Sequence, residues 1–259
     1  MRAKKSFGQH FLNNEAIAQR IADALTLDNG KAKILEVGPG KGMLTKYLLE
    51  KGIDLKVVEA DRDMVEYLHL NYIQLHGRVI SEDFLKLDFE NIFPRNGAHM
   101  ASQFSIIGNF PYNISSQIVF KMLDNRALVP ELVGMFQKEM AERIAAPPGN
   151  KTYGVISVLT QAFYEGEYLF SVGNHNFTPP PKVQSGVIRL KRKEGGLGCD
   201  EKLFKKVVKQ AFSQRRKMLR NTLKPFFGDA GILQDDFFKK RPEVLGVGEF
   251  VELTNRIVQ

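Results

Sequence analysis

The segment that most constrains the fold is AKILEVGPGKG, residues 32–42, in which a short apolar run leads directly into a turn with three glycines. Glycine adopts backbone conformations that other residues rarely reach, and a helix that starts after such a turn presents unpaired N–H groups to an anion. The next segment, MLTKYLLEKG, has helical spacing and ends at Gly52. The pattern therefore predicts a strand, a ligand-binding turn and a helix.

The same alternation of strand and helix continues along the chain. Apolar runs that predict strands lie in DLKVVEAD, RVISEDF, FSIIGNFPY, ELVGMFQ and VIRL, and helical patterns lie between them. Strands that alternate with helices at this spacing predict an α/β fold with a mostly parallel sheet covered on both faces. The glycine-rich stretch EGGLG at 194–198 is predicted to be a linker, because only helical patterns follow it. We therefore predict an α/β domain over residues 1–193 and a small all-helical domain over residues 197–259.

Charge and cysteine content narrow the partners and the compartment. The net charge is +8, and residues 197–259 carry 13 Lys and Arg against 8 Asp and Glu. This balance favours a polyanionic partner without choosing between nucleic acid, acidic lipid and acidic protein. The single cysteine, Cys199, excludes an internal disulfide and favours a reducing, cytoplasmic location. No apolar stretch is long enough for a membrane span, and the first residues do not form a secretory signal.

The glycine turn is flanked by acidic residues that indicate its ligand. Glu36 lies two residues before Gly38, and Glu59 ends the next predicted strand, where a carboxylate can accept hydrogen bonds from both hydroxyls of a ribose. A dinucleotide site usually has the spacing G-x-G-x-x-G, whereas Gly38, Gly40 and Gly42 are evenly spaced. The turn favours S-adenosylmethionine over a nicotinamide cofactor, with a purely structural turn as the remaining alternative.

Two aspartates follow later strands. Asp83, in SEDF, is placed to accept a hydrogen bond from the amino group of the cofactor's adenine, or else to cap a turn. Asp61 begins the helix RDMVEYLHLNY, and we expect it to be a structural N-cap.

The segment GNFPY, residues 108–112, ends a buried strand in an unusual combination of residues. An adenine N6 amine is a poor nucleophile that becomes more reactive when two acceptors bind its hydrogens. The side-chain carbonyl of Asn109 and the backbone carbonyl of Phe110 can be those acceptors, and Pro111 restricts the conformation of the residue before it. Tyr112 can stack on the target base. The alternative is an ordinary proline turn with a packed tyrosine.

Seven segments in order make the resemblance to one family specific: KKSFGQHFL, EVGPGKGMLT, VVEAD, GNFPYNIS, FQKEMAERI, FTPPPKVQSGVIRL and AFSQRRKMLRNTL. The chain resembles the bacterial small-subunit ribosomal RNA adenine dimethyltransferases A. The resemblance implies a Rossmann-like methyltransferase domain and a helical C-terminal domain. It also implies transfer of methyl groups from S-adenosylmethionine to N6 of two adjacent adenines in the 3′-terminal hairpin loop of 16S rRNA. The implied substrate is a small-subunit assembly intermediate. No metal is expected, and we expect a monomer.

The resemblance also assigns site residues. The positions that it implies for the donor are His10, Leu12, Gly38, Gly40, Glu59, Asp83 and Asn109, and those of the catalytic corner are Asn109, Phe110, Pro111 and Tyr112. Family members often have Asn at the position of His10 and Leu at that of Phe110. Phe177 matches an aromatic residue that can hold the extruded adenine against Tyr112. The alternative is that Phe177 lies in the core beside a stiff proline loop.

Residues 202–224 carry nine Lys and Arg residues and no Asp or Glu. We predict one basic helix on which Lys205, Lys209, Arg216 and Arg220 contact RNA phosphates, with an ordinary solvated face as the alternative. Lys4 and Lys5 can extend this surface.

Three other functions compete with the small-subunit enzyme. They are a 23S rRNA resistance methyltransferase, a DNA adenine-N6 methyltransferase, and a binding protein that keeps the methyltransferase fold while serving as an assembly or transcription factor. The segments FTPPPKV and QRRKMLRN favour the small-subunit branch.

Overall fold

The computed structural model describes residues 8–27, 32–94, 102–227 and 231–258. A seven-stranded sheet has the strand order β4-β3-β2-β5-β6-β9-β7. Its strands, in chain order, are β2 (Lys33–Val37), β3 (Asp54–Val58), β4 (Val79–Ile80), β5 (Ser105–Asn109), β6 (Glu131–Gln137), β7 (Tyr164–Val172) and β9 (Ser185–Arg192). The neighbours from β4 to β6 are parallel, and β9 runs antiparallel to β6. The predicted mostly parallel sheet is confirmed.

The central strands are short apolar runs because both faces of the sheet are covered. In β6, Glu131 to Phe136 are all buried, and β5 is buried from Ser105 to Gly108. The strands therefore end where polar residues begin, at Asn109 in β5 and Gln137 in β6. This places the Asn-Phe-Pro-Tyr segment at the carboxyl edge of the sheet, where open α/β folds bind their ligands.

Helices connect the strands. They are α1 (Glu15–Asp23), α2 (Thr45–Leu49), α3 (Arg62–Asn71), α4 (Ser115–Asp124), α5 (Lys138–Ala145), α6 (Val155–Phe163), α7 (Glu201–Ala211), α8 (Leu219–Thr222) and α9 (Val247–Val258). The side chain of Asn14 accepts a hydrogen bond from the Ile17 N–H, and that of Asp61 accepts one from the Asp63 N–H. The Asp61 N-cap is as the sequence predicted. No helix in the described ranges is long and apolar enough to cross a bilayer.

A separate two-stranded sheet holds the N-terminal segment. Strand β1 (Phe11–Leu12) is antiparallel to β8 (Phe177–Thr178), with Leu12 opposite Phe177. The Asn13 N–H also donates to the Asn176 carbonyl at 2.9 Å. These contacts fix residues 10–13 beside the chain that precedes β9.

The packing divides the chain into two compact units. The first comprises the described residues of Met1–Ala141 and Glu167–Arg192, and the second those of Glu142–Gly166 and Lys193–Gln259. The second unit is helical apart from the start of β7, and its buried residues include Phe204, Val208, Phe250 and Leu253. The division into domains at 1–193 and 197–259 stays a prediction.

The prediction of one continuous basic helix over residues 202–224 is wrong. Helix α7 ends at Ala211, a 3-10 turn spans Phe212–Gln214, and helical structure resumes in α8. The Ser213 hydroxyl donates to the Gln210 carbonyl at 2.7 Å, which competes with helix continuation. Three consecutive cations, Arg215 to Lys217, follow this turn and repel one another.

Candidate active site

A cavity of about 1200 Å³ opens at the carboxyl ends of β2, β3 and β5 within the first unit. It brings together residues that are far apart in sequence: the N-terminal segment, the glycine turn and the corner after β5. The predicted site residues that line it are His10, Leu12, Gly38, Gly40, Glu59, Asp83, Asn109, Phe110, Pro111 and Tyr112. The structure therefore places the donor-site and corner residues named from the sequence around one space.

The glycine turn is held in shape from two sides. The Gly38 N–H donates to the Val58 carbonyl at 2.9 Å, and the Tyr72 hydroxyl donates to the Gly42 carbonyl at 3.0 Å. Gly42 has a φ of +78°, and a Cβ at this position would overlap the Tyr72 ring. Only glycine suits Gly42 for both reasons. Tyr72 was not identified from the sequence, because its place at the end of α3 carries no signal for this contact.

Two buried acids form one wall of the cavity. Glu36 is 1% exposed and accepts a hydrogen bond from the Thr45 hydroxyl at 2.7 Å. Burial raises the pKa of Glu36 to about 8, and the neighbouring Glu59 acts in the same direction. Burial also raises the pKa of Glu59, although the Asp61 and Gly40 N–H groups lower it in part. A cation that binds beside this wall would stabilise the ionised forms of these two acids, which burial disfavours.

Glu59 is already engaged with the backbone in this structure. One carboxylate oxygen accepts from the Asp61 N–H at 2.9 Å and the other from the Gly40 N–H at 3.2 Å. These two bonds fix the orientation of the Glu59 carboxylate beside the glycine turn. Each oxygen has a second lone pair for a hydroxyl donor. The predicted contact with a ribose stays a prediction.

Asp83 acts as the cap of a short turn, which is the alternative that the sequence left open. Its Oδ1 accepts from the Leu85 N–H at 2.9 Å at the start of the 3-10 turn Phe84–Lys86. The side chain is half-buried and lines the cavity. The contact with the cofactor's adenine stays a prediction that the capping role does not exclude.

The Asn109 amide has a defined orientation. Its Nδ2 donates to the backbone carbonyl of His10 at 3.0 Å. A carbonyl only accepts hydrogen bonds, so the nitrogen must be the end that faces His10, and Oδ1 is turned away from it. Among the described residues, none donates to Asn109 Oδ1 or to the Phe110 carbonyl. Two acceptors at one corner of the cavity thus have no donor within the described part of the chain.

The Phe110 side chain points into the core and not into the cavity. It is 1% exposed, and its ring packs against Phe136 with the ring centroids 4.9 Å apart. Gly134 in β6 and Gly108 in β5 provide the space, because a Cβ at either position would overlap the ring. The Phe110 N–H donates to the Met135 carbonyl at 3.1 Å. The side chain therefore anchors the corner, while the backbone carbonyl is the group available to a ligand.

Tyr112 is held by two polar contacts, one to its ring hydroxyl and one to its backbone carbonyl, and by one aromatic contact. Its hydroxyl lies 2.6 Å from Ser185 Oγ, and its carbonyl accepts from the Ser115 hydroxyl at 3.1 Å. The His10 imidazole stacks on the ring with centroids 5.4 Å apart and an interplanar angle of 30°. His10 Nδ1 lies 2.8 Å from the Pro179 carbonyl, so Nδ1 carries the hydrogen. Burial raises the pKa of the Tyr112 phenol, which keeps it neutral.

Phe177 is buried in this structure and is not among the residues that line the cavity, and its contact with a base held against Tyr112 stays a prediction. Its side chain is 2% exposed and packs in the core with Leu12, Ile21 and Val172. The reason is the alternation of side chains in β8, where Phe177 points inward and Thr178 outward. The core position was the alternative reading of the sequence.

The four basic residues lie in the second unit. Lys205 and Lys209 are one helical turn apart on α7, Arg216 lies between α7 and α8, and Arg220 lies on α8. Lys209 and Arg216 are exposed, and Lys205 and Arg220 are half-buried. Contact with RNA phosphates stays a prediction for all four, and Lys4 and Lys5 lie outside the described residues.

Comparison with known proteins decides the family. The model of the family described as "Ribosomal RNA adenine dimethylase" matches residues 1–240. The chain belongs to this family. The resemblance stated from the motifs is confirmed. Ribosomal RNA adenine dimethylases of this kind use S-adenosylmethionine as methyl donor, and the chain is accordingly a methyltransferase that dimethylates adenines in ribosomal RNA.

Several curated relatives match the dimethylase over almost its whole length. A "Ribosomal RNA small subunit methyltransferase A" of Flavobacterium johnsoniae is 54% identical over 99% of this chain and 96% of its own. A protein of the same name from Parabacteroides distasonis is 55% identical over 98% of this chain and 93% of its own.

Solved structures match the fold. A dimethyladenosine transferase from Plasmodium falciparum has a TM-score of 0.79 and 25% identity, covering 96% of this chain and 98% of its own. The 23S rRNA methyltransferase ErmE has a TM-score of 0.71 and 23% identity, covering 96% and 100%, and shows the fold alone. The expected Rossmann-like fold with C-terminal helices is confirmed.

Proposed function

We propose that the cavity binds S-adenosylmethionine and that the corner at Asn109–Tyr112 presents N6 of an adenine to it. The observation that carries the proposal is a pair of acceptors, Asn109 Oδ1 and the Phe110 carbonyl, to which no residue that the structure describes donates a hydrogen bond. The exocyclic amine of an unmodified adenine has two hydrogens, which matches two acceptors at adjacent residues, and N6 keeps one of these hydrogens for the second transfer. The His10 carbonyl supports this role because it leaves Asn109 no other orientation.

The residues around the cavity also fit the donor. When bound, S-adenosylmethionine supplies an electrophilic methyl group on a positively charged sulfur. A positively charged ligand would stabilise the ionised forms of Glu36 and Glu59, which burial disfavours in the donor-free protein. Gly38 and Gly40 allow a ligand close to the backbone, and His10, Leu12 and Asp83 are proposed to complete the donor site.

The chain's own groups act by position and by electrostatics. In the transfer that the bound donor would allow, the N6 lone pair forms a bond to the methyl carbon as the carbon–sulfur bond breaks, and the sulfur leaves as a neutral thioether. Positive charge then develops on the nitrogen, and its hydrogens become more acidic. Hydrogen bonds to Asn109 Oδ1 and the Phe110 carbonyl strengthen in that transition state, and such differential stabilisation lowers the barrier. Tyr112 holds the plane of the base by stacking. Neither acceptor has to take the proton, which leaves to solvent after the transfer.

We further propose that the substrate is the pair of adjacent adenines in the 3′-terminal hairpin loop of 16S rRNA, within an assembly intermediate of the small subunit. The names of the 54% and 55% identical relatives support the small subunit as the target. A protein with this substrate works in the cytoplasm, and we propose that it acts as a monomer. The exposed Lys209 and Arg216 are proposed phosphate contacts, together with Lys205 and Arg220.

One experiment separates this function from its competitors. The protein is incubated with radiolabelled S-adenosylmethionine and, in parallel, with small subunits that lack the dimethylation, large subunits, and DNA, and the modified nucleotides are mapped. Label confined to N6,N6-dimethyladenine at two adjacent positions near the 3′ end of 16S rRNA is expected. Label in 23S rRNA or in DNA would overturn the proposal. Stable binding to small subunits without label would favour an assembly factor.

A further inference from the structure

Ser185 is a fully buried residue whose hydroxyl reaches the proposed base-binding tyrosine. It is the first residue of β9, its side chain has 0% exposure, and its Oγ lies 2.6 Å from the Tyr112 hydroxyl. The two residues are 73 positions apart in the sequence. A lone serine at the start of a strand carries no sequence signal for such a contact.

Strand β6 fixes the distance between Ser185 and the catalytic corner. On one side, Asn109 of β5 pairs with Met135, and the Phe110 N–H donates to the Met135 carbonyl. On the other side, Ser185 pairs with Gln137. Met135 and Gln137 are two residues apart in β6, so their side chains point to the same face of the sheet. The serine and the corner are therefore anchored to one rigid, buried strand.

The contact with Ser185 completes a clamp on Tyr112. Ser115 holds the carbonyl of Tyr112, the bond from the Phe110 N–H to the Met135 carbonyl holds the chain just before it, and Ser185 holds the far end of the ring. A tyrosine that is fixed only at its backbone can change its side-chain torsions. A hydrogen bond at the hydroxyl restricts the plane of the ring, and that plane is what a stacked base must match.

We propose that Ser185 is a positioning residue for methyl transfer: its hydroxyl fixes the Tyr112 ring in the plane that receives the target adenine. This inference rests on the proposed function, because it assumes that Tyr112 stacks on the base. Ser185 acts through Tyr112 and does not touch the base itself. It lies outside the cavity lining that surrounds the donor residues.

A double-mutant cycle tests the proposal. Ser185→Ala removes one partner of the contact, and Tyr112→Phe removes the other while keeping the ring. Initial rates of methyl transfer to unmethylated small subunits give kcat and KM, and calorimetry gives the Kd for S-adenosylmethionine. Each single variant is expected to lower kcat about tenfold with donor affinity unchanged, the size expected for one buried hydrogen bond. The double variant is expected to resemble either single variant, because both remove one interaction.

The outcomes separate a positioning role from a structural one. If the two losses multiply, so that the double variant loses about a hundredfold, Ser185 does not act through the Tyr112 hydroxyl and the proposal is wrong. Ser185→Thr, which keeps a hydroxyl, is expected to recover most of the rate. Ser157→Ala is the matched control: this serine is also 0% exposed, but its hydrogen bonds join Arg143 and Gly154 in the second unit. Its loss is expected to lower the free energy of unfolding with kcat unchanged.

Failure of the proposed function gives a different result. Tyr112→Ala removes the ring itself and is expected to abolish methyl transfer. If Tyr112→Ala retains full activity, the stacking role of Tyr112 is wrong. If Tyr112→Ala is inactive but Ser185→Ala has the wild-type kcat, only the positioning role is overturned.

Discussion

The side-chain amide of Asn109 is oriented by the backbone carbonyl of His10, 99 residues away in the sequence, through a hydrogen bond of 3.0 Å from Nδ2. His10 is in turn fixed by its Nδ1 contact with Pro179 and by the pairing of β1 with β8. The N-terminal segment thus sets the direction of an acceptor at the end of β5. This hydrogen bond links the N-terminal segment to the corner after β5, and both line the same cavity.

Asn109→Ala is expected to abolish methyl transfer, by at least about a hundredfold in kcat, because it removes one of two acceptors for the amine. The affinity for S-adenosylmethionine, measured by calorimetry, is expected to stay close to wild type. Asn125→Ala is the matched control, because Asn125 makes a comparable bond to the Lys121 carbonyl at the end of α4. Activity of Asn109→Ala equal to that of the control would rule out the acceptor model.

Gly134→Ala is expected to disturb the Asn109–Tyr112 corner through the buried side chain of Phe110. The new Cβ would overlap the Phe110 ring, so the ring and its backbone must move, at a cost of about 1–3 kcal/mol in the free energy of unfolding. The rate of methyl transfer is expected to fall as well, because the Phe110 carbonyl moves with the ring. Adding Phe110→Leu, a smaller side chain, is expected to restore part of the stability.

Urea denaturation measures these changes. Gly248→Ala on α9 is the control, because nothing lies within 4 Å of its Cβ position. It is expected to be neutral or slightly stabilising. A Gly134→Ala variant as stable as wild type would show that the close packing of Phe110 does not anchor the corner.

Glu36 is expected to make the stability of the donor-free protein depend on pH. Burial raises its pKa from 4.5 to about 8, so its protonated form is favoured in the fold. Its contribution to stability is complete below about pH 4.5 and is lost as the pH rises through about 8. Between pH 5 and pH 9, the free energy of unfolding is expected to fall in wild type as this contribution is lost. In Glu36→Gln the fall over the same range is expected to be smaller by at least about 1 kcal/mol. The same pH dependence of the free energy of unfolding in both proteins, measured by urea denaturation, would contradict this.

Neutralising Lys205, Lys209, Arg216 and Arg220 with Gln is expected to weaken RNA binding and to reduce its salt dependence. Each lost phosphate contact lowers the slope of log K against log salt by about one, so the full set lowers it by up to about four. Lys51→Gln is the control, because the Lys51 ammonium already bonds the Asp23 carboxylate at 2.6 Å. An unchanged slope would assign the four cations to an ordinary solvated surface.

The sequence predicted the parts of the fold that depend on local pattern. Apolar runs predicted the strands, Asp61 was identified as a cap from residue type and position, and the Asn-Phe-Pro-Tyr corner was placed at the end of a strand. These features need only residue spacing and the physical chemistry of a few side chains.

The rest depends on contacts between distant segments. The pairing of β8 with β1 determines which face of the strand the Phe177 side chain is on. Side chains alternate along a strand, but a strand of two residues is too short for the sequence to show which side chain points inward. Where α7 ends, Ser213 bonds to a helix carbonyl, whereas the apolar spacing alone continues across the break. Ser185 and Tyr72 meet the site only because β9 and α3 bring them there.

The most direct measurement is a crystal structure of the protein with a non-reactive donor analogue and adenosine. The account predicts that N6 lies about 3 Å from both Asn109 Oδ1 and the Phe110 carbonyl oxygen, with the donor's sulfur or its equivalent in line behind it. A complex in which the donor binds but N6 lies more than about 4 Å from both oxygens would contradict the account.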